Sequence, residues 1–179
     1  MRESVRRRLE SGNATRTTDR ARYPDHMDRL DLLDHFRTGY DDVVDALDGI
    51  TRDGLDRRPP GSDWSAREIA HHLADSEATA YVRLRRLIAE DDAVVDAYDE
   101  AEFARRLHYD RPIEPSLAVL EAVRAASLQL LDALTPDEWQ RAGTHSESGA
   151  YAVEDWLQIY AGHSHEHADQ IRRARRGEP

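Results

Sequence analysis

Apolar residues recur along this chain at intervals of three and four positions, which is the spacing of a helix with one buried face. Glycines follow the first and the last of the patterned segments, at Gly49 and Gly177, as they do at many helix ends. The pattern predicts four long helices and no strand, and therefore an all-α four-helix bundle. The predicted helices are 24–49, 65–89, 115–134 and 153–176.

The segments between these helices differ in length and composition. Residues 51–61 contain two prolines and two glycines and are predicted to form a loop. Residues 91–115 form a long acidic crossover between the second and third helices, in which 101–107 can make a short helix. Residues 137–151 are rich in glycine and serine, and a loop is predicted there as well.

The amino-terminal segment differs from the rest of the chain. Residues 1–22 hold seven arginines and three acidic residues, with almost no apolar periodicity. This composition predicts a disordered basic tail, and it lacks the apolar stretch of a secretory signal. Residues 23–179 are then expected to form a single bundle domain, because a chain of 179 residues suits one hydrophobic core.

The charge balance narrows the range of partners. The chain has 25 basic and 36 acidic residues, a net charge of −11, and every basic residue is arginine. An acidic body repels phosphate, so no nucleic-acid partner is expected. A mean hydropathy of −0.80 and the lack of a long apolar run predict no membrane span and a cytoplasmic location. Lysine-free, aspartate-rich composition is typical of a GC-rich genome or of a surface adapted to high salt, and both stay open.

The residues that are missing exclude several chemistries. Without cysteine there are no disulfides, thiolate nucleophiles or iron–sulfur ligands, and without lysine there is no P-loop lysine or Schiff base. The glycine-rich dinucleotide motif and the nucleophile elbow are absent too. A metal site must therefore use histidine, aspartate and glutamate, and a sulfur nucleophile must come from a cosubstrate.

The nine histidines are informative through their spacing. His163 and His167 are one helical turn apart and lie on or beside the apolar stripe of the fourth helix, whereas His165 points away from both. In the second helix, His72 flanks the apolar stripe and His71 lies opposite it. His72 is therefore expected to be the inward histidine of its doublet, and His72, His163 and His167 are predicted to meet inside the bundle.

Three such imidazoles could bind a divalent metal and leave a fourth coordination position open for water or a substrate atom. The competing interpretation is that His163 and His167 are partly buried and hydrogen-bonded to acidic neighbours. The third inward histidine favours a metal. Zinc, nickel, copper and iron all accept imidazole, so the residues alone do not identify the ion.

Two sequence blocks resemble the DinB-like superfamily, in particular its YfiT-like metal-dependent hydrolase branch. WSAREIAHHLADSE at 64–77, followed by YVR at 81–83, is similar to the second helix of that family, with its metal histidine at His72. AGHSHEH at 161–167, followed by QI at 170–171, is similar to the fourth helix. The resemblance extends over nearly all of the chain after the tail.

The resemblance implies an often dimeric four-helix bundle that binds a divalent metal through His72, His163 and His167. Nickel or zinc is the expected ion, with manganese or iron as alternatives, and a homodimer is the expected assembly. Family members include hydrolases and transferases that join low-molecular-weight thiols, such as bacillithiol or mycothiol, to electrophiles. The expected function is therefore metal-dependent hydrolysis or thiol S-transfer on a small-molecule substrate, by water or a thiol activated at the metal.

The resemblance also draws attention to Arg83 and His145. Arg83 occupies the arginine position of the YVR motif and is a candidate substrate contact, with a surface arginine as the alternative. His145 falls where a residue near the pocket is expected, but a solvated loop histidine is the preferred interpretation. The alternative to an enzyme is a noncatalytic bundle, either a metal-stabilised stress-response protein or an interaction module.

Overall fold

A computed structural model describes residues 27–61 and 64–178, so the predicted tail at 1–22 lies outside the described residues. The helices are α1 (Arg29–Leu47), α2 (Arg52–Asp56), α3 (Ala66–Ala89), α4 (Glu100–Arg106), α5 (Glu114–Ala133), α6 (Pro136–Trp139) and α7 (Val153–Arg176). The strands are β1 (Val94–Val95), β2 (Ala142–His145) and β3 (Gly149–Ala152).

The four long helices α1, α3, α5 and α7 form the predicted bundle. Helix α1 packs mainly on α7, while α3 packs on α5 and α7. Among the described residues, no helix combines the length and apolar character needed to cross a membrane. Because α3 contacts both α5 and α7, side chains on its inner face reach the centre of the bundle.

Local capping sets where the helices begin and end. Asp28 accepts hydrogen bonds from the backbone N–H groups of Leu30 and Asp31, so α1 begins at Arg29 rather than at residue 24. Ser65 and Glu68 form a capping box at the start of α3, and Gly177 adopts the left-handed conformation after α7. These caps fix the register of the two helices that carry the histidine clusters.

The core consists of two groups of buried side chains. One surrounds Trp156, whose indole Nε1 donates to the carbonyl oxygen of Ala80 at 2.9 Å. The other includes Leu73 and Ile171, which have no exposed surface. Because Leu73 follows His72 in α3 and Ile171 lies one turn beyond His167 in α7, this second group fixes the helices that present these histidines.

The prediction of a loop over 137–151, and of no strand in the chain, was wrong. Residues 136–139 form α6, and β2 pairs with β3 as an antiparallel hairpin. The two residues of β1, in the crossover, add a parallel strand to β2. Strands of two and four residues made mostly of alanine, glycine, valine and threonine are too short to show an alternating apolar pattern.

The crossover between α3 and α5 rests on this hairpin. Its α4 confirms the short helix predicted at 101–107. The Thr144 N–H donates to the carbonyl oxygen of Ala93 at 2.8 Å, and the Ser146 N–H donates to that of Val95 at 3.0 Å. The backbones approach so closely at Gly143 that an added Cβ would lie 2.3 Å from the Ala93 oxygen. A glycine is therefore required at this position.

Gly143→Ala should destabilise the protein, because the new methyl group must displace the Ala93 carbonyl and its bond to Thr144. We expect the free energy of unfolding, measured by chemical denaturation, to fall by about 1–3 kcal/mol. Thr144→Val, at an exposed neighbouring position, is the control and should stay within about 0.5 kcal/mol of the parent. Equal stability of Gly143→Ala and the parent would show that the crossover does not rest on the hairpin.

Candidate metal centre

The structure brings the predicted triad together. His72 comes from α3, and His163 and His167 come from successive turns of α7. One ring nitrogen of each lies within 4.8 Å of those of the other two. The ring centroids are 5.5 Å apart for His72 and His163, 4.9 Å for His72 and His167, and 4.7 Å for His163 and His167. Within the described residues, this is the one group of three histidine, aspartate or glutamate side chains so placed.

The donor set fits a divalent metal. Metal–imidazole bonds of about 2.0–2.1 Å in a tetrahedral site place the nitrogens about 3.3 Å apart. The triad nitrogens lie within 4.8 Å of one another, so they would have to move closer together to bind the metal. Three nitrogen ligands leave one tetrahedral position open, which is typical of catalytic rather than structural zinc sites.

Burial favours the neutral form of two of the three imidazoles, those of His72 and His167. Desolvation, with repulsion from His167 and His163, lowers the pKa of His72 to about 2. Desolvation and the charge of His163 lower the pKa of His167 to about 3, although its hydrogen bond to Gln170 opposes the shift. Protons therefore do not compete with a metal for these two rings near neutral pH.

Neighbouring side chains orient the rings. The Nδ1 N–H of His167 donates to the Gln170 side-chain oxygen at 2.9 Å, which leaves the Nε2 lone pair available for a metal. The indole ring of Trp64 packs edge-on against His72, with centroids 4.3 Å apart, and lies 6.4 Å from His167. The triad thus has an aromatic wall on one side.

The expected exposure of His71 was wrong. His71 was predicted to lie opposite the buried face, but it has no exposed surface. Its Nε2 donates to the carbonyl oxygen of Arg111 at 3.0 Å, and its Nδ1 accepts from the Ser116 hydroxyl at 2.8 Å. The crossover and α5 cover this side of α3, and the pattern of one helix alone does not show that second contact.

His165 points away from the triad, as predicted, but toward α1 rather than into solvent. Its ring stacks on that of His35 with centroids 3.9 Å apart. Its Nδ1 lies 2.7 Å from Asp42 Oδ2, and its Nε2 lies 2.9 Å from the His35 carbonyl oxygen. This histidine contributes to the packing of α1 on α7.

Arg83 is buried rather than a surface arginine. It is 8% exposed, and it donates to the Tyr160 hydroxyl at 3.3 Å and to the carbonyl oxygen of Asp96. It also lines a cavity of about 470 Å³ beside α3, with Phe103 among the other lining residues. The Tyr160 ring lies 5.8 Å from that of His163, so Arg83 is connected to the triad through one side chain. A substrate contact by Arg83 stays a prediction.

His145 lies in β2 rather than in a solvated loop. It is partly buried, and its ring packs edge-on against that of Tyr151 with centroids 5.6 Å apart. Its Nδ1 accepts from the backbone N–H groups of Glu147 and Ser148 at 3.3 and 3.4 Å. At the end of β2, His145 therefore stabilises the turn of the hairpin.

Sequence reasoning missed a buried ion pair beside the triad. Glu77 of α3 and Arg124 of α5 are hydrogen-bonded to each other and are only 2% and 3% exposed. Glu77 Oε1 lies 4.0 Å from His163 Nδ1. The available signal was one of position, since charged residues 77 and 124 fall on apolar faces, beside Leu73 and Leu120 respectively.

Fold and site together define a helical bundle protein with three inward histidines from two helices. The chain belongs to the DinB superfamily, whose family model matches residues 35–171. OB0782 of Oceanobacillus iheyensis, named as a proposed metal-dependent hydrolase, is 37% identical over 122 residues, which cover 68% of this chain and 71% of that protein.

Two solved structures share the fold. YfiT from Bacillus subtilis, described as a proposed metal-dependent hydrolase with an unusual four-helix bundle topology, has a TM-score of 0.77 at 24% identity, covering 86% of this chain and 91% of YfiT. A mycothiol-dependent maleylpyruvate isomerase has a TM-score of 0.67 at 11% identity, covering 81% of this chain and 61% of the isomerase. At these identities the two structures show the fold alone.

The buried imidazoles should make the metal-free protein sensitive to acid. In the unfolded chain His72 takes up a proton below about pH 6.5, whereas in the folded protein its pKa is about 2. The folded state is therefore fully stable above pH 6.5 and loses stability as the pH falls from there toward 2. We expect His72 to account for about 1–2 kcal/mol of the loss between pH 7 and pH 5.

Denaturation of chelator-treated protein at both pH values checks this expectation. His72→Leu should lose less stability between pH 7 and pH 5 than the parent. His108→Asn, which changes an exposed histidine, should lose about as much as the parent. An identical loss in His72→Leu and the parent would contradict the buried, neutral state of His72.

Proposed function

We propose that the protein is a divalent-metal-dependent enzyme that activates a nucleophile for attack on a small-molecule electrophile. His72, His163 and His167 would hold the metal. The observation that carries this proposal is the convergence of these rings from two helices, with the pKa of His72 and of His167 lowered to about 2 and 3. The name of the relative from Oceanobacillus iheyensis supports metal-dependent hydrolysis.

A divalent metal lowers the pKa of a water or thiol in its open coordination position and so supplies a nucleophile near neutral pH. Around that position, Trp64 supplies an apolar wall beside His72, and Tyr160 packs against His163. Burial raises the pKa of Tyr160, so its hydroxyl stays protonated, and the charged side chains beside these rings are Arg83 and the Glu77–Arg124 pair. These rings limit the access of bulk water to the site.

Arg83 is the proposed substrate contact. Its guanidinium lines the cavity beside α3 while donating to Tyr160, so it can also donate hydrogen bonds to a polar or negatively charged substrate group on the cavity side. His72 and Arg83 are eleven residues apart in α3, which places them on nearly the same face of the helix. A substrate that spans both would lie along this face.

Hydrolysis and thiol transfer are the two reactions proposed for this site. Hydrolysis agrees with the name of the relative that is 37% identical. Thiol transfer is favoured by the shared fold of a mycothiol-dependent isomerase, and the chain has no cysteine, so the thiol would be a cosubstrate. Nickel or zinc is the proposed ion, ahead of manganese and iron, and the proposed setting is a cytoplasmic homodimer.

Metal analysis of protein purified without a histidine tag tests the proposal. We expect about one nickel or zinc ion per chain in the parent and in His108→Asn. His72→Ala should retain less than about a tenth of the metal affinity, because loss of one of three ligands leaves an incomplete site. Full metal content and full activity in His72→Ala would contradict the assignment.

Activity assays then separate the two reactions. The metal-loaded protein is offered ester and amide substrates in water, and separately an electrophile with bacillithiol or mycothiol. Turnover without thiol indicates hydrolysis, and turnover that requires the thiol indicates transfer. A folded parent protein that binds no divalent metal would instead support a noncatalytic interaction bundle.

A further inference from the structure

A buried nitrogen of His163 lacks the partner that a metal-binding histidine normally has. His163 Nδ1 is buried and, within the described residues, has no hydrogen-bond partner. By contrast, Nδ1 of His167 is already bonded to Gln170. Metal-binding histidines commonly donate their second N–H to a carboxylate or carbonyl, which fixes the ring and raises its basicity. The group placed to serve His163 is Glu77, whose Oε1 is 4.0 Å from Nδ1.

The Glu77 carboxylate is held in place by Arg124. The Arg124 Nη1 group donates to Glu77 and, at 3.3 Å, to the carbonyl oxygen of Tyr160, while Nη2 donates to that of Phe36. The guanidinium also lies over the Phe36 ring, 3.9 Å from its centroid. Arg124 thus joins α5 to α1, α3 and α7, and the carboxylate has little freedom to move away from His163.

The backbone of α1 leaves room for this arrangement. At Gly39 an added Cβ would lie 2.7 Å from Arg124 Nη2 and 2.9 Å from the Cβ of Ser164, the residue after His163. Glycine inside a helix costs about 1 kcal/mol relative to alanine. Gly39 lies where α1 meets Arg124 and α7. A side chain at this position would clash with the guanidinium group and with Ser164.

A buried ion pair seldom adds net stability over apolar side chains of similar size, because both charges lose their hydration. Glu77 and Arg124 are therefore poorly explained by stability alone. Their placement beside the buried, unpaired Nδ1 of His163 gives them a local role. The carboxylate is the only ionised acceptor that the described contacts place near that nitrogen.

We propose that Glu77 is a positioning residue for His163. Its carboxylate accepts the Nδ1 N–H of His163 when the ring moves closer by about 1 Å, to an ordinary hydrogen-bond length. This bond selects the tautomer with its lone pair on Nε2, on the opposite edge of the ring. Arg124 and Gly39 keep the carboxylate in place. The inference rests on the proposed metal site and goes beyond it by assigning the residue that prepares one ligand.

Zinc affinity, measured at pH 7.5 by competition with a chromophoric chelator, tests this role. Glu77→Gln keeps a neutral acceptor and should bind Zn²⁺ about 10-fold more weakly, and Glu77→Leu up to about 100-fold more weakly. Leu131→Ala is the matched control, since it removes a buried apolar side chain of α5 that takes no part in the Glu77–Arg124 hydrogen bonds. It should be less stable than the parent but bind Zn²⁺ equally well, which separates positioning from general destabilisation.

NMR of the zinc-loaded parent, labelled with ¹⁵N-histidine, tests the same role without a variant that could fail to fold. We expect His163 to be protonated at Nδ1 and coordinated through Nε2, with an N–H that exchanges slowly with solvent. Coordination through Nδ1, or an N–H that exchanges as fast as that of an exposed histidine, would overturn the role of Glu77. So would Zn²⁺ binding by folded Glu77→Gln and Glu77→Leu as tight as that of the parent. In either case the metal site itself would stand, whereas a parent that binds no Zn²⁺ would overturn the proposed function as well.

Discussion

The structure depends on holding the neutral imidazoles of α3 and α7 against one another in a largely dry interior. Burial removes the hydration that the protonated forms of His72 and His167 need, which is why their pKa values fall to about 2 and 3. The apolar residues next to them, such as Leu73 and Ile171, supply the favourable burial that offsets this cost. The same burial leaves two nitrogen lone pairs free of protons, so the cost to stability is also what prepares the site for a cation.

Polar side chains around the triad reduce its freedom. Gln170 fixes the tautomer of His167, and the Glu77–Arg124 pair stands beside His163. Arg83 extends this polar lining to the crossover through Tyr160 and Asp96. The crossover in turn is hydrogen-bonded to the hairpin. Arg83 of α3 therefore contacts a segment whose position depends on residues far away in the sequence.

Much of the fold was predictable because its main elements are long and amphipathic. The period of the apolar residues located α1, α3, α5 and α7, and the caps at Ser65 and Gly177 agree with the predicted ends. The period of α7 also selected His163 and His167 over His165 correctly. These features depend on residues close together in sequence, which is the information that a pattern of spacing contains.

The remaining features depend on contacts between distant segments. The hairpin was missed because its short strands are stabilised by pairing with each other and with the crossover. His71 was placed on the wrong side because α5 and the crossover cover a second face of α3. Glu77 and Arg124 were overlooked although each falls on an apolar face, because the pattern of one helix does not show the partner on the other.

A crystal structure of metal-soaked protein with anomalous diffraction would show whether the three imidazoles converge on one cation. We expect one strong anomalous peak about 2.0–2.2 Å from a ring nitrogen of each of His72, His163 and His167. A peak that involves other residues, or no peak with the three rings turned apart, would contradict this expectation.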